Sequence, residues 1–474
     1  MASLVVVCPI TATSSAFAVS ADGELNLTLT EAVELALEHS RTLKIADARM
    51  GASAERVREA RTAFLPKISG KGSYTRLDQT PYISGASFSS MFDPLHVPFE
   101  DLVSNGYLDP GALAGLEAGG PSRIYIGDKD NYALGVTVEQ PIFTGFSIRN
   151  TYRIAKHALE AEKWNRQRDE NEVRFAVAEA YVGLVRAKAF LEVAKESVHQ
   201  LEAHIVDLES FLGEGMVIQN DLLRAEVELA NAALLVNRAA NTVDLATANL
   251  CHQLGVPLNT GITPTDPLKA EAETRTLSDC NELALRERPE LRAMEHYLEI
   301  GQRTIALRRG QYLPSVFLIG NHEWKRPDRE YEPEFYRSWN VTLALKANVF
   351  DWGAIHHQVA HAEMEQRQLE ENAEILTDGI LLQVKQSYLA WEEARRAVDL
   401  AGQAKAQAEE NHRLALESFR EGVATSTDLL DAEALLTRAK AGRVNAVAGL
   451  RLAKEKIDIA TGWSSGASPT GSGR

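Results

Sequence analysis

Asp428 and Asp431 stand three residues apart at the head of a helix-forming run, which puts both carboxylates on one helix face. A carboxylate or hydroxyl at a helix N-terminus also accepts from exposed backbone N–H groups, so Thr427 or Asp428 reads equally as a cap. Asp221 opens an earlier helix in the same manner, with Arg224 where Asp431 would be. His357 and His361 are spaced i, i+4 beside His356, a spacing that suits two metal ligands. The commoner meaning of such a cluster is a solvated helix face, and no metal is expected. Cys251 and Cys280 either join as a disulfide in an oxidising compartment or stay as buried thiols, and the second is the expectation. The sequence has no Ser/His/Asp order, no paired-carboxylate pocket and no phosphate-binding Gly loop, so neither an enzyme nor a cofactor is expected.

The elements that carry these residues come from a duplication. Thr28-Leu29 and Glu34-Leu35-Ala36-Leu37 recur 248 positions later as Thr276-Leu277 and Glu282-Leu283-Ala284-Leu285, and Leu65-Pro66 recurs as Leu313-Pro314. Further along the offset is 207: Phe143 matches Phe350, Tyr181 matches Tyr388, Gly215 matches Gly422, Asp221-Leu222-Leu223 matches Asp428-Leu429-Leu430, and Gly255 matches Gly462. The first copy, residues 19–255, therefore holds 41 extra residues, placed in the Gly-, Pro- and Ser-rich run 80–120. The second copy is 276–462, joined through the proline-bearing segment 256–275. Each copy reads helix, strand, loop, strand, very long helix, turn, long helix.

Apolar residues in the first copy's long helix fall at Val177, Ala180, Leu184, Ala187, Leu191, Ala194, Val198, Leu201, Ile205, Leu208 and Leu212, a 3-4 heptad seam. A second seam follows from Leu222 to Leu250, after a turn within 213–220. A short turn between two seams makes an antiparallel helical hairpin. The second copy repeats this with its turn at 420–427, its seams broken by Lys405, His412 and Arg443. Ser147–Leu212 would be roughly 99 Å long, and the run Ser278–Tyr312, read as one helix, about 52 Å. Two shorter helices stacked end to end would then match one long one.

Period-two alternation marks strands at about 131–142, 315–324 and 338–350, with a weaker one at about 68–77. Ten tilted residues suffice to cross a bilayer as a strand. Four strands cannot close a barrel, and an open edge in lipid leaves backbone groups unsatisfied, so strands in a membrane would have to be pooled between chains.

Composition narrows the class. With 474 residues and 45% hydrophobic residues the chain supports two or three domains or long packed seams. Its formal charge of −16 argues against nucleic-acid binding. Three cysteines without a CxxC pair argue against a zinc framework and a disulfide-stapled scaffold. Outside the extreme N-terminus no apolar run is long enough for a transmembrane helix. Residues 1–18, ending in Ala16-Phe17-Ala18, read as a secretory signal peptide, although its n-region has no Lys or Arg: either the true start lies upstream or the signal is weak. Cys8 reads as an ordinary residue of that segment rather than a lipidation site. Residues 463–474 are Gly/Ser-rich and expected to be flexible.

From about Leu27 to Gly462 the chain resembles the TolC-like outer-membrane efflux protein family. The resemblance rests on the Leu65-Pro66 and Leu313-Pro314 helix ends, on Phe143 and Phe350-Asp351-Trp352-Gly353, and on the two tip turns beginning at Gly215 and Gly422. It implies a mainly α protein with long coiled-coil hairpins in a periplasmic α-barrel. Four strands per chain would contribute to a 12-stranded β-barrel in a homotrimer, with 80–120 an extracellular loop and 256–275 an equatorial belt. It implies a passive duct for efflux or type I secretion, embedded in outer-membrane lipid. Its tips, with Gly215, Asp221, Gly422 and Thr427, would dock a periplasmic adaptor working with an inner-membrane RND, ABC or MFS transporter. In the family the Asp-x-x-Asp-Ala stretch, here Asp428 and Asp431, narrows the periplasmic entrance. The basic residue the family carries shortly after the tip glycine is replaced by Ala424. The alternative is a soluble periplasmic coiled-coil scaffold or adaptor that buries its short sheets.

Overall fold

A computed structural model describes residues 25–84, 99–105, 123–125, 128–266, 275–327 and 334–462. The signal segment with Cys8, most of 80–120, part of 256–275 and the 463–474 tail lie outside them. The chain divides into two units, one of Met1–Ala54, His157–Glu299 and Gln366–Arg474, the other of Glu55–Lys156 and Ile300–Glu365.

In chain order the elements are β1 (Leu25–Leu27), α1 (Leu29–His39), α2 (Arg41–Thr62), β2 (Lys67–Arg76), β3 (Tyr82–Ser84), α3 (Phe99–Ser104), β4 (Arg123–Tyr125) and β5 (Asp130–Thr144). They continue as α4 (Ser147–Gly213), α5 (Gln219–Leu254), β6 (Ile262–Pro264), α6 (Leu277–Glu287), α7 (Pro289–Arg309), β7 (Ser315–Arg326), β8 (Tyr336–Lys346), α8 (Ala354–Arg420) and α9 (Ser426–Ala460). Both long helices, α4 and α8, have 67 residues, about 100 Å at 1.5 Å per residue.

The run Ser278–Tyr312 is not a single helix: it breaks at Arg288, whose φ and ψ are −65° and 121°. Pro289 disfavours the α conformation in the residue before it and suits the first position of the next helix. The first copy breaks 248 residues earlier at Ser40, at −54° and 123°. No proline follows there; Ser40 Oγ instead accepts from Leu43 N at 3.3 Å and caps α2.

The helical unit holds two equivalent cores. Ala36, Val177, Leu250 and Cys251 pack in one; Ala284, Val384, Ile457 and Cys280 pack in the other. Tyr181 donates its hydroxyl to Leu27 O at 3.0 Å, and Tyr388 donates to Arg275 O at 3.3 Å. Gly255 and Gly462, at φ +72° and +74°, turn the chain against His39 and Glu287. Apart from the two cysteines, which stand at non-equivalent positions, these pairs obey the two sequence offsets, so the duplication is a duplication of contacts. Cys251 and Cys280 are buried free thiols, and burial raises both pKa values. The seam interruptions are used inside the chain: Arg443 donates to Val398 O at 2.7 Å, Lys405 pairs with Glu409 at 3.5 Å, and His412 lies 3.8 Å from Glu433.

The other unit carries a four-stranded antiparallel sheet in the order β2-β5-β7-β8. One face presents Trp339, Val341, Leu343 and Leu345 on β8 at 62–75% exposure, with Tyr132, Leu134, Val136 and Val138 on β5. The opposite face carries Lys71, Ser73, Thr137, Glu139, Asn321, Asn340 and Lys346. β5 runs on through Pro141, where the register with β7 shifts between Pro141 and Phe143, a bulge that tolerates the missing donor.

Candidate functional site

The two hairpin tips pack side by side within the helical unit. Each turn is a Schellman motif closed by a glycine in the left-handed region. Gly215 N donates to Leu212 O and Met216 N to Phe211 O; Gly422 N donates to Phe419 O and Val423 N to Ser418 O. Gly215 and Gly422 have φ of +75° and +74°. Beneath the turns Leu208, Leu222, Ala225, Phe419 and Leu429 form a core drawn from all four helices.

Polar contacts join the first hairpin to the second. Arg420 Nη2 and Nε donate to Asp207 Oδ2 at 3.1 and 3.2 Å. Arg224 Nη1 donates to Thr427 Oγ1 at 3.0 Å, and Lys440 Nζ reaches Glu196 Oε1 at 2.6 Å. His204, 2% exposed, lies 3.0 Å from Ser426 Oγ through Nε2 and edge-on to Phe419. A groove of about 840 Å³ opens beside these contacts, lined among others by Leu223, Arg224, Val227, Thr427, Leu430 and Asp431.

Asp428 forms a complete capping box with Thr425. Its Oδ2 accepts from Thr425 N at 2.9 Å and Thr425 Oγ1 at 2.7 Å, and its own N donates back to that hydroxyl at 3.2 Å. The Thr425 hydroxyl and backbone N–H hold the Asp428 carboxyl below its ordinary pKa. The cap is thus Thr425, not Thr427, whose hydroxyl faces Arg224. Asp431, one turn on, is exposed and lines the groove. In the first hairpin Asp221 accepts from Ile218 N at 3.4 Å, and Ile218 has no oxygen with which to answer.

The sequence showed only Ala424 where a basic residue would follow the tip glycine. A basic partner is nevertheless present, two residues before the glycine, as Arg420. Arg420 and Asp207 lie 213 residues apart, and nothing in either local pattern links them. His204 and Ser426 are equally silent in sequence. His361 pairs with Glu365 at 3.5 Å, and His357 is exposed on the same helix. Among the described residues no group of three or more His, Cys, Asp or Glu side chains is placed to hold a metal.

The burial of His204 beside Ser426 predicts that the tip packing responds to pH. Desolvation lowers the His204 pKa, against a smaller opposing effect of Glu433 on α9 and Asp207 on α4. His412 on α8 lies beside Glu433, and Arg420 on α8 faces Asp207. A histidine kept neutral by burial binds fewer protons folded than unfolded, so stability is intact above the unfolded pKa of about 6.5 and falls as pH drops below it. The expected result is a tip that loosens in mild acid, seen as lower amide protection factors around Ser426 once exchange is referred to the intrinsic rate at each pH. His204→Phe should flatten that dependence; an unchanged pH profile would discharge His204 from the role.

Residues 281–462 match the family model described as outer membrane efflux protein. The chain resembles the TolC-like outer-membrane efflux proteins. The chain is 24% identical over 347 residues to the alkaline protease secretion protein AprF of Pseudomonas aeruginosa, covering 71% of this chain and 69% of AprF. Its fold is that of the outer-membrane channel OprN, with a TM-score of 0.73 at 19% identity over 92% of this chain and 90% of OprN. It also superposes on the Campylobacter jejuni CmeC outer-membrane channel, with a TM-score of 0.73 at 18% identity over 92% and 85% of the two chains. The match to the outer membrane efflux model and the likeness to these outer-membrane proteins put the chain in the outer membrane with a periplasmic extension, against the soluble-scaffold alternative.

Proposed function

We propose that this efflux-family protein is the exit duct of a tripartite pump or type I secretion system, acting as a homotrimer and conducting passively. The observation that carries the reading is the sheet: one apolar face, one polar face, and only four strands. Such a sheet cannot stand alone in lipid, and twelve strands from three copies close it with the polar face inward. Secretion is favoured by AprF, whose name assigns it to alkaline protease secretion. A periplasmic adaptor would dock on the glycine turns and their flanking Asp221 and Thr427. An inner-membrane transporter of RND, ABC or MFS type would feed the duct.

In that trimer Asp428 and Asp431 supply six carboxylates to one ring at the periplasmic entrance. A ring of carboxylates concentrates cations and repels anions. The test is Asp428→Asn with Asp431→Asn, because Asn preserves the cap while removing charge. In planar bilayers under a salt gradient, cation-over-anion permeability should fall several-fold. An unshifted reversal potential would remove both residues from the pore.

A further inference from the structure

Where β5 passes into α4, the junction leaves a cleft of about 690 Å³ between the first turns of α4 and the last turns of α7. Gly145 lies against Gly310 with no room for a side chain, and that approach sets the start of one helix on the end of the other. Three guanidiniums line the cleft, Arg149 and Arg153 from α4 and Arg309 from α7, and no carboxylate does. Arg309 donates to Glu363 Oε1 at 2.6 Å. The side chains of Arg149 and Arg153 have no ion-pair or hydrogen-bond partner among the described residues.

Arg149 and Arg153 are spaced i, i+4, so two like charges share one helix face, which destabilises a helix unless an anion answers it. Further along α4 the arginines are answered: Arg166 and Arg174 pair with Glu170, and Arg168 pairs with Asp169. The repeat does not demand the charge either, because the second copy has His356 and Ala360 at the positions matching Arg149 and Arg153. Cations that neither the helix nor the duplication requires point to an external anion. A guanidinium, with its planar fork of donors, suits a phosphate.

The cleft opens on the apolar side of the sheet. Phe143 stands opposite Val316, on the β7 face that carries Leu318 and, opposite Leu134, Trp324. The Phe146 ring, half exposed at the rim of the cleft, meets Phe143 edge-on at 5.4 Å. Ile305 and the exposed Leu313 continue that apolar rim. We propose that the cleft binds an anionic phospholipid of the periplasmic leaflet. Arg149, Arg153 and Arg309 take the phosphate, and the acyl chains run over Phe146 and Phe143 onto the apolar face of the sheet. A free phosphate would use the guanidiniums and leave the aromatic rim idle. The inference rests on the outer-membrane placement, not on the duct or the trimer.

Native mass spectrometry of the full-length protein in detergent tests it, with phosphatidylglycerol as the probe and zwitterionic phosphatidylcholine as its uncharged counterpart. The parent should retain phosphatidylglycerol in preference to phosphatidylcholine. A basic side chain at an anionic lipid surface is worth about fivefold in binding. Arg149→Gln should therefore weaken phosphatidylglycerol binding about fivefold, and Arg149→Gln with Arg153→Gln about 30-fold, with phosphatidylcholine unmoved. The single variant, at an exposed position, carries the test where the double variant fails to fold. Arg238→Gln with Arg367→Gln removes two exposed charges elsewhere on the helices and should leave the preference as it was. Equal binding of the two lipids by the parent, or equal losses in the cleft and control variants, overturns the site. Displacement of phosphatidylglycerol by millimolar inorganic phosphate overturns the lipid in favour of a bare anion site. Membrane fractionation of the parent reads the outer-membrane placement separately. A chain found outside that membrane overturns the placement and the lipid together, whereas a membrane-bound chain without lipid preference overturns the cleft alone.

Discussion

Gly145→Ala should cost the assembled protein about 2–5 kcal/mol, the largest loss expected from adding one methyl group outside the cores. The added Cβ would meet Gly310 O at 2.2 Å and Leu313 Cβ at 3.2 Å, and the first of these is backbone that cannot swing aside. Overpacking of that kind costs about 1–3 kcal/mol. The left-handed conformation, φ +59°, contributes about 1–2 kcal/mol more. Gly353→Ala separates the two effects. Its φ is +83°, but an added Cβ meets only the His357 ring, at 3.8 Å. That variant should lose only the conformational part, about 1–2 kcal/mol. The measurement is the denaturation midpoint of purified protein in detergent. Equal losses at both glycines would show that backbone conformation alone sets the cost and that the Gly145–Gly310 approach is slack.

These junctions also show what a single sequence makes legible. The heptad spacing of Leu201, Ile205 and Leu208 can be read because a seam is a local pattern, and Leu201 and Leu208 are 6% and 0% exposed. The break at Arg288 could have been read from Pro289, but the long apolar pattern overrode it. The matching break at Ser40 carries no such mark, because it is held by a hydroxyl cap and by packing against distant chain. Asp428 was visible as an acid near a helix start. That its cap is Thr425 depends on where the turn ends, which the glycine φ decides and spacing does not. Arg420, Asp207, His204 and Ser426 escaped altogether: each belongs to a contact between hairpins, and those contacts have no sequence period.

In the proposed duct, Arg420→Ala should shift the hairpin tips toward an open arrangement. Arg420 and Asp207 are 56% and 29% exposed in their side chains, so the pair is a surface ion pair worth about 0.2–1 kcal/mol. In the proposed trimer the contact occurs three times. If the tips part together, losing all three shifts the closed-to-open balance by about 0.6–3 kcal/mol, or roughly 3-fold to 150-fold. Arg224→Ala, which removes the donor to Thr427, should add to that shift. Single-channel conductance in planar bilayers reads it directly. Screening supplies an internal check: raising salt from 0.1 to 1 M shortens the Debye length from about 10 to 3 Å, so it should open the parent channel while leaving Arg420→Ala unmoved. Exchanging the charges, Asp207→Arg with Arg420→Asp, should restore the resting state, because the geometry needs opposite signs rather than a particular order. Cation selectivity should stay with Asp428 and Asp431 throughout, since neither carboxylate takes part in the Arg420–Asp207 contact and Asp431 lines the groove. Identical conductance in the parent, the single variant and the exchanged pair would show that the Arg420–Asp207 contact holds nothing shut.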